Sequence, residues 1–156
     1  IRLSLVGSEM CIRDSDITED VVTKYYGGRV EVSAFVVADT AIAGRYGEAL
    51  VALRHALASG ADPVPMVAAF AMKLRTMARV AGNREPSRQL AQRLGMKDWQ
   101  VDRARRDLAG WNERSLGMAI QATARADAEV KGAARDPIFA LERMLTVIAT
   151  RQPFGE

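Results

Sequence analysis

The chain has 156 residues, 49% of them apolar and 26% charged, with 22 Lys and Arg against 19 Asp and Glu and a formal net charge of +3. That content is enough for one core, and the Ala- and Leu-rich, aromatic-poor mixture favours helix over sheet. No run approaches the roughly 20 apolar residues of a membrane span: Asp39 interrupts "SAFVVADTAIAG" and Lys73 ends "MVAAFAM". The start shows no apolar leader with a small-residue cleavage site, so the expectation is a soluble cytoplasmic protein with no membrane partner.

The stretch "LVGSEMCIRDS", Leu5 to Ser15, fits no amphipathic pattern and resembles the in-frame translation of a sequencing-library adaptor. Residues 1–15 are therefore expected to be non-native read-through, outside any fold argument. They hold Cys11, the only cysteine, so disulfides, Cys-ligated metals and Cys nucleophiles drop out for the remainder. The charges in this stretch cancel, and the basic excess belongs to the rest of the chain.

"DITEDVVTKYYGGRVEVS" predicts a short helix with Thr18 as N-cap and Asp20 in its first turn, ending at Gly27-Gly28. From Ser33 the pattern is helical throughout. Ser33 can cap a helix whose Phe35, Val36 and Ile42 supply an apolar side, closed by Gly44. Tyr46, Leu50, Leu53 and Leu57 share one face of the next, which stops at Ser59-Gly60. Asp62-Pro63, a cap followed by proline at the first helical position, opens a helix carrying Val67, Phe70, Leu74 and Met77, with Lys73, Arg75 and Arg79 off that stripe.

Two short helices are predicted over 87–94 and 98–108 around Gly95. After Gly110-Trp111, Asn112 caps a long helix through Leu116, Ile120, Thr123 and Val130 to Gly132. Asp136-Pro137 opens the last helix, with Ile138, Leu141, Leu145 and Ile148 as its stripe. No alternating strand pattern appears after Ser33, so the predicted architecture is an all-α bundle of about six or seven helices.

The sequence offers no chemistry. There is no Gly-rich loop followed by Lys-Ser/Thr. His55, the single histidine, has no partner at ligand spacing, and Asp16, Glu19 and Asp20 resemble a helix N-terminus favoured by its dipole rather than a metal cluster. No catalytic residue, cofactor or metal site is expected. The basic excess is concentrated: from Lys73 to Arg114 there are eleven Lys and Arg against five acids, a distribution that could meet phosphates or acidic neighbours.

Within it, "QLAQRLGMKDWQVDRARRDL", residues 89–108, has Leu90-Ala91, Leu94-Gly95 and Val101-x-Arg103 where helix-turn-helix proteins pack two helices across a glycine turn. Those positions encode packing, not reading. At the start of the second helix stand Asp98, Trp99, Gln100 and Asp102, of which Gln100 alone suits base-edge contact, while Arg103, Arg105 and Arg106 are better placed for phosphates. A helix-turn-helix regulator using residues 89–108 is the alternative reading.

Four blocks in order, "ITEDVVTKYYGGRVEVSAFVVADTAIAG", "ALVALRHALASGADPVPMVAAFAMKLRTMARVAG", "QLAQRLGMKDWQVDRARRDLAGW" and "RADAEVKGAARDPIFALERM", carry a wider resemblance. From Asp16 to about Ile148 the chain resembles the C-terminal part of the delta subunit of the bacterial DNA polymerase III clamp loader, in its actinobacterial form. The resemblance implies that residues 16–32 are the tail of an AAA+-like lid domain and a linker, 33–150 a helical collar domain and 151–156 a frayed C-terminus. It implies a structural role in a DNA polymerase III holoenzyme without catalysis by this piece, and assembly with gamma/tau and delta-prime subunits. The sliding clamp would be met only through an N-terminal domain that these residues do not include. Primer-template DNA would be met without sequence preference, and Trp99, Arg103, Arg105 and Arg106 are the candidate contacts to DNA or a partner, although burial of Trp99 within the collar is the favoured expectation. Asp127 and Lys131, and Glu142 and Arg143, either pair locally or face a neighbouring subunit.

Overall fold

The computed structural model describes residues 33–155, so the adaptor-like stretch and the helix expected after Thr18 lie outside the described residues. Seven α-helices follow one another, with no strand among the described residues: α1 (residues 33–42), α2 (Tyr46–Ala58), α3 (Pro63–Val80), α4 (Ser87–Leu94), α5 (Asp98–Asp107), α6 (Glu113–Ala128) and α7 (Pro137–Thr150). The predicted boundaries hold to within a residue or two except at the end of α6. There α-helical bonding stops at Ala128 and the chain widens into one π-type turn, Glu129–Ala133, closed by Gly132 at φ 122°.

Three caps set the helix starts. The side chains of Asp62, Asn112 and Asp136 accept from the backbone N–H groups of Val64 (2.9 Å), Ser115 (2.8 Å) and Phe139 (3.0 Å), satisfying donors that the first turn leaves open. Asp62 and Asp136 are each followed by proline, which has no N–H to lose there.

α3 is the central element. Val67, Phe70, Leu74 and Met77 are all buried, as their spacing predicts, and Met66 joins them. α1, α2, α6 and α7 pack around this stripe in one core. Leu141, Leu145 and Ile148 of α7 are buried as expected, whereas on α1 and α2 small residues join the expected large ones at the contact. On α1 the buried face is Ala34, Val37, Ala38, Ala41 and Ile42, while Val36 is exposed. On α2 it is Ala49, Leu53 and Ala56, with Tyr46 at the surface. Alanine lets helix axes approach closely, so the bulkier residues of the same turns are displaced to the rim.

Ile120 and Ile138 likewise leave the predicted stripes and are 40% and 49% exposed. Thr123 is buried, its hydroxyl donating to the Ala119 carbonyl at 2.8 Å.

α4 and α5 form a hairpin beside the end of α3. Gly95 at φ 66° terminates α4 in the left-handed conformation, and the Met96 N–H closes the turn on the Ala91 carbonyl at 2.8 Å. Leu90, Ala91, Val101 and Ala104 bury against Val80 in a small second core.

Where α1 ends, close to the C-terminal end of α5, one arginine ties three segments. Arg151, assigned from the sequence to the tail, stacks its guanidinium 4.9 Å from the Trp111 ring centre and donates to the carbonyls of Gly110 (2.8 Å) and Ile42 (3.3 Å). Trp111 Nε1 donates to the same Ile42 carbonyl. Gly110 must lack a side chain here: its φ is 76°, and a Cβ would lie 2.6 Å from Arg151 Nη1.

Phe70→Ala is expected to lower the free energy of unfolding by about 3–5 kcal/mol in urea melts, whereas Ile120→Ala costs less than about 1 kcal/mol. Equal losses at the two positions would contradict this placement of the core.

Candidate interaction surfaces

α3 is apolar around Phe70, Leu74 and Met77, yet Lys73 lies among them with its side chain only 11% exposed. An ammonium held this far from water needs carboxylates. Two arrive from different elements: Asp39 of α1 forms an ion pair with Lys73, and Asp107 of α5 lies 3.5 Å from the same nitrogen. Arg103, one turn before Asp107, pairs with the other oxygen of Asp39. Two cations and two carboxylates thus make a neutral cluster where α1, α3 and α5 meet.

Burial pushes the Lys73 ammonium below its usual value; Asp107 acts against that shift and Arg103 adds to it. In the window between this lowered value and the usual 10.5, the unfolded chain holds a proton that the folded chain sheds. The contribution of Lys73 to stability therefore rises with pH there and is least favourable below it.

A cleft of about 310 Å³ opens beside the cluster, walled by Phe35, Met72, Thr76 and Trp99. Trp99 is 61% exposed and Met72 56%. The expectation that Trp99 is buried within this fold is thus corrected. The second core is already filled by Leu90, Val101 and Ala104, and Trp99 falls on the outer side of α5.

The candidate arginines have different surroundings. Arg103 is neutralised by Asp39. Arg105 faces the opposite way and clamps the loop before α4, donating to Ser87 Oγ (2.8 Å) and to the carbonyls of Asn83 and Glu85. Arg106 is exposed and has no carboxylate partner among the described residues. Gln100 is engaged as well, its side-chain oxygen accepting from the Lys97 N–H at 2.8 Å at the start of α5. A reading head on this hairpin would then offer Asp98 and Asp102 to a phosphate-walled groove, which is electrostatically unfavourable.

The remaining candidates lie on the other side of the bundle. Asp127 and Lys131 pair with each other at 2.8 Å. Glu142 and Arg143 do not: Glu142 accepts from Arg54 of α2 at 2.8 Å, and Arg143 pairs with Glu129 in the π-type turn, where Arg125 also binds at 3.0 Å. Arg143 additionally lies 5.7 Å from the Phe139 ring centre, and Phe139 meets Phe154 edge to face at 6.0 Å. Ile138, Phe139 and Phe154 are each about half exposed, forming an apolar patch bordered by those ion pairs.

No group of three or more His, Cys, Asp or Glu that could hold a metal occurs among the described residues. No helix among them is long and apolar enough to cross a membrane.

The sequence-based expectations missed Asp39 and Lys73 as partners, taking Asp39 as a break in an apolar run and Lys73 as part of a basic segment off the apolar stripe. The available signal was Lys73 itself, a charge flanked by Phe70, Leu74 and Met77 at helical spacing.

A family model described as "DNA polymerase III delta subunit, C-terminal domain" matches residues 31–148. Among solved structures, the chain is similar to the Bacillus subtilis DNA clamp loader delta protein, with a TM-score of 0.66 and 20% identity, covering 77% of this chain and 36% of that one. At that identity the likeness shows the fold, and this chain spans little more than a third of that protein. No curated protein matches the sequence significantly.

Asp39→Asn leaves Lys73 and Arg103 short of a counter-charge. It is expected to destabilise the fold by about 1–3 kcal/mol in urea unfolding, less than for a fully buried pair because Asp39 is partly exposed. Asp107→Asn should depress the Lys73 ammonium further, as read by NMR titration of lysine Nζ; an upward movement would contradict the cluster.

Proposed function

Because the chain belongs to the family formed by the C-terminal domain of the DNA polymerase III delta protein, we propose that it is the helical collar of a clamp-loader delta subunit, working in the bacterial cytoplasm during DNA replication. Its role is to hold the loader together with gamma/tau and delta-prime subunits, without catalysing a step itself. The match running through residues 31–148, nearly the whole helical bundle, is the observation that carries this reading. Contact with the sliding clamp falls to a different domain, and contact with primer-template DNA is non-specific.

The apolar patch of Ile138, Phe139 and Phe154 suits an interface with a neighbour in that assembly. Aromatic and aliphatic anchors at the centre of an interface supply most of its affinity, while charged pairs at the rim set orientation. Asp127 with Lys131, Glu142 with Arg54 and Arg143 with Glu129 provide such a rim. A helix-turn-helix regulator is less well supported, since Gln100 is engaged within its own helix and Trp99 stands beside a neutral cluster.

Isothermal titration of the chain with gamma/tau and delta-prime tests this assignment. The double variant Ile138→Ser, Phe139→Ser is expected to bind at least tenfold more weakly while remaining folded, its unfolding free energy lowered by about 1–3 kcal/mol for the half-buried surface lost. Unchanged binding would move the interface elsewhere, and no binding by the unaltered chain would remove the collar reading itself.

A further inference from the structure

The neutral cluster around Lys73 leaves the basic excess of residues 73–114 to be accounted for elsewhere. Around the Arg105 clamp it is concentrated. Arg105 bonds only to neutral oxygens, those of Ser87, Asn83 and Glu85, and has no carboxylate within ion-pair distance among the described residues. Arg84 lies between the two residues whose carbonyls Arg105 holds, Arg88 follows Ser87 in the chain, and Arg106 follows Arg105. All three are exposed and lack a carboxylate partner among the described residues. Arg93 also reaches this loop, pairing with Glu85 at 2.6 Å and donating to Asn83 Oδ1 at 2.8 Å. The acids beside these five arginines are Glu85, taken by Arg93, and Asp102, which accepts from Ser87 Oγ.

We propose that Arg84, Arg88 and Arg106, arranged around the Arg105 clamp, form a surface that binds the phosphodiester backbone of duplex DNA without reading its sequence. The partner follows from the chemistry. Several guanidiniums with no counter-charge suit a ligand carrying closely spaced anions, and planar guanidinium forks match phosphate oxygens. The Arg105 hydrogen bonds fix the loop in advance, so less order has to be gained on binding. Exposed guanidiniums without counter-charge favour the phosphate oxygens, contacts that position DNA without selecting its sequence. The inference rests on the reading that this module meets DNA non-specifically and is independent of the Ile138–Phe154 patch on the far side.

The test is fluorescence anisotropy of two unrelated duplexes of roughly 20 bp, titrated with the full chain across a range of NaCl concentrations. The triple variant Arg84→Gln, Arg88→Gln, Arg106→Gln is compared with an equal-charge control, Arg75→Gln, Lys97→Gln, Arg114→Gln. The first is expected to weaken binding at least tenfold at low salt, equally for both duplexes, and to reduce the slope of log K against log salt by about 2 to 3, whereas the control loses markedly less. Equal losses in both triples would make net charge, not this surface, responsible and would overturn the proposal. So would an unaltered triple, with the non-specific DNA reading left standing, or a strong preference between the duplexes. No binding by the unaltered chain would overturn both.

Discussion

A lysine placed on the inner side of the central helix constrains much of this fold. Lys73 lies among Phe70, Leu74 and Met77, where an unpaired ammonium would be costly. Its carboxylates come from α1 and α5, so the ion cluster fixes both elements against α3. The hairpin of α4 and α5 thus has two attachments, a small apolar core at Val80 and a charge cluster at Lys73. The apolar contact supplies the larger part of the free energy; the ionic one restricts which face of α5 turns inward. One consequence reaches function: Arg103 is consumed in the cluster, and the uncompensated charge of the hairpin moves to the loop around Arg105.

About one turn further along α1 and just past α5, a second device of different chemistry adds to this anchoring. Arg151 on the Trp111 ring joins the end of α1, the Gly110 turn and the end of α7. Along the rest of the core, alanine-lined contacts bring α1 and α2 close to their neighbours. The bundle so held supports two unlike surfaces: an aromatic patch at the start of α7 and a guanidinium-rich loop before α4. Such a division suits a protein that joins an assembly on one side and meets a polyanion on the other.

Helix starts and ends were legible in the sequence because they are local. Asp62-Pro63, Asn112, Asp136-Pro137 and Gly95 each carry their signal within a few residues, and the structure uses all of them. The stripe of α3 was legible because its large apolar residues recur at three-four-three spacing and all of them are buried. The stripes of α1, α6 and α7 were legible in part: Leu141, Leu145 and Ile148 are buried as their spacing predicts, whereas Val36, Ile120 and Ile138 are exposed although periodicity ranks them with the core. The surfaces were least legible, because they depend on partners distant in sequence: Asp39 with Arg103, Arg54 with Glu142, and Arg105 with the 83–87 loop. A helical wheel puts Arg103 and Arg106 on one side and Arg105 on the other, but only tertiary structure shows that Arg103 is neutralised, Arg105 clamps a loop and Arg106 remains exposed.

The central claim is that this bundle is an assembly module, and the most direct test is its mass in a mixture. Light scattering behind size exclusion, with the chain added to gamma/tau and delta-prime subunits, should show one co-eluting species heavier than the mixture lacking it. Separate elution of the chain at micromolar concentrations would contradict the account.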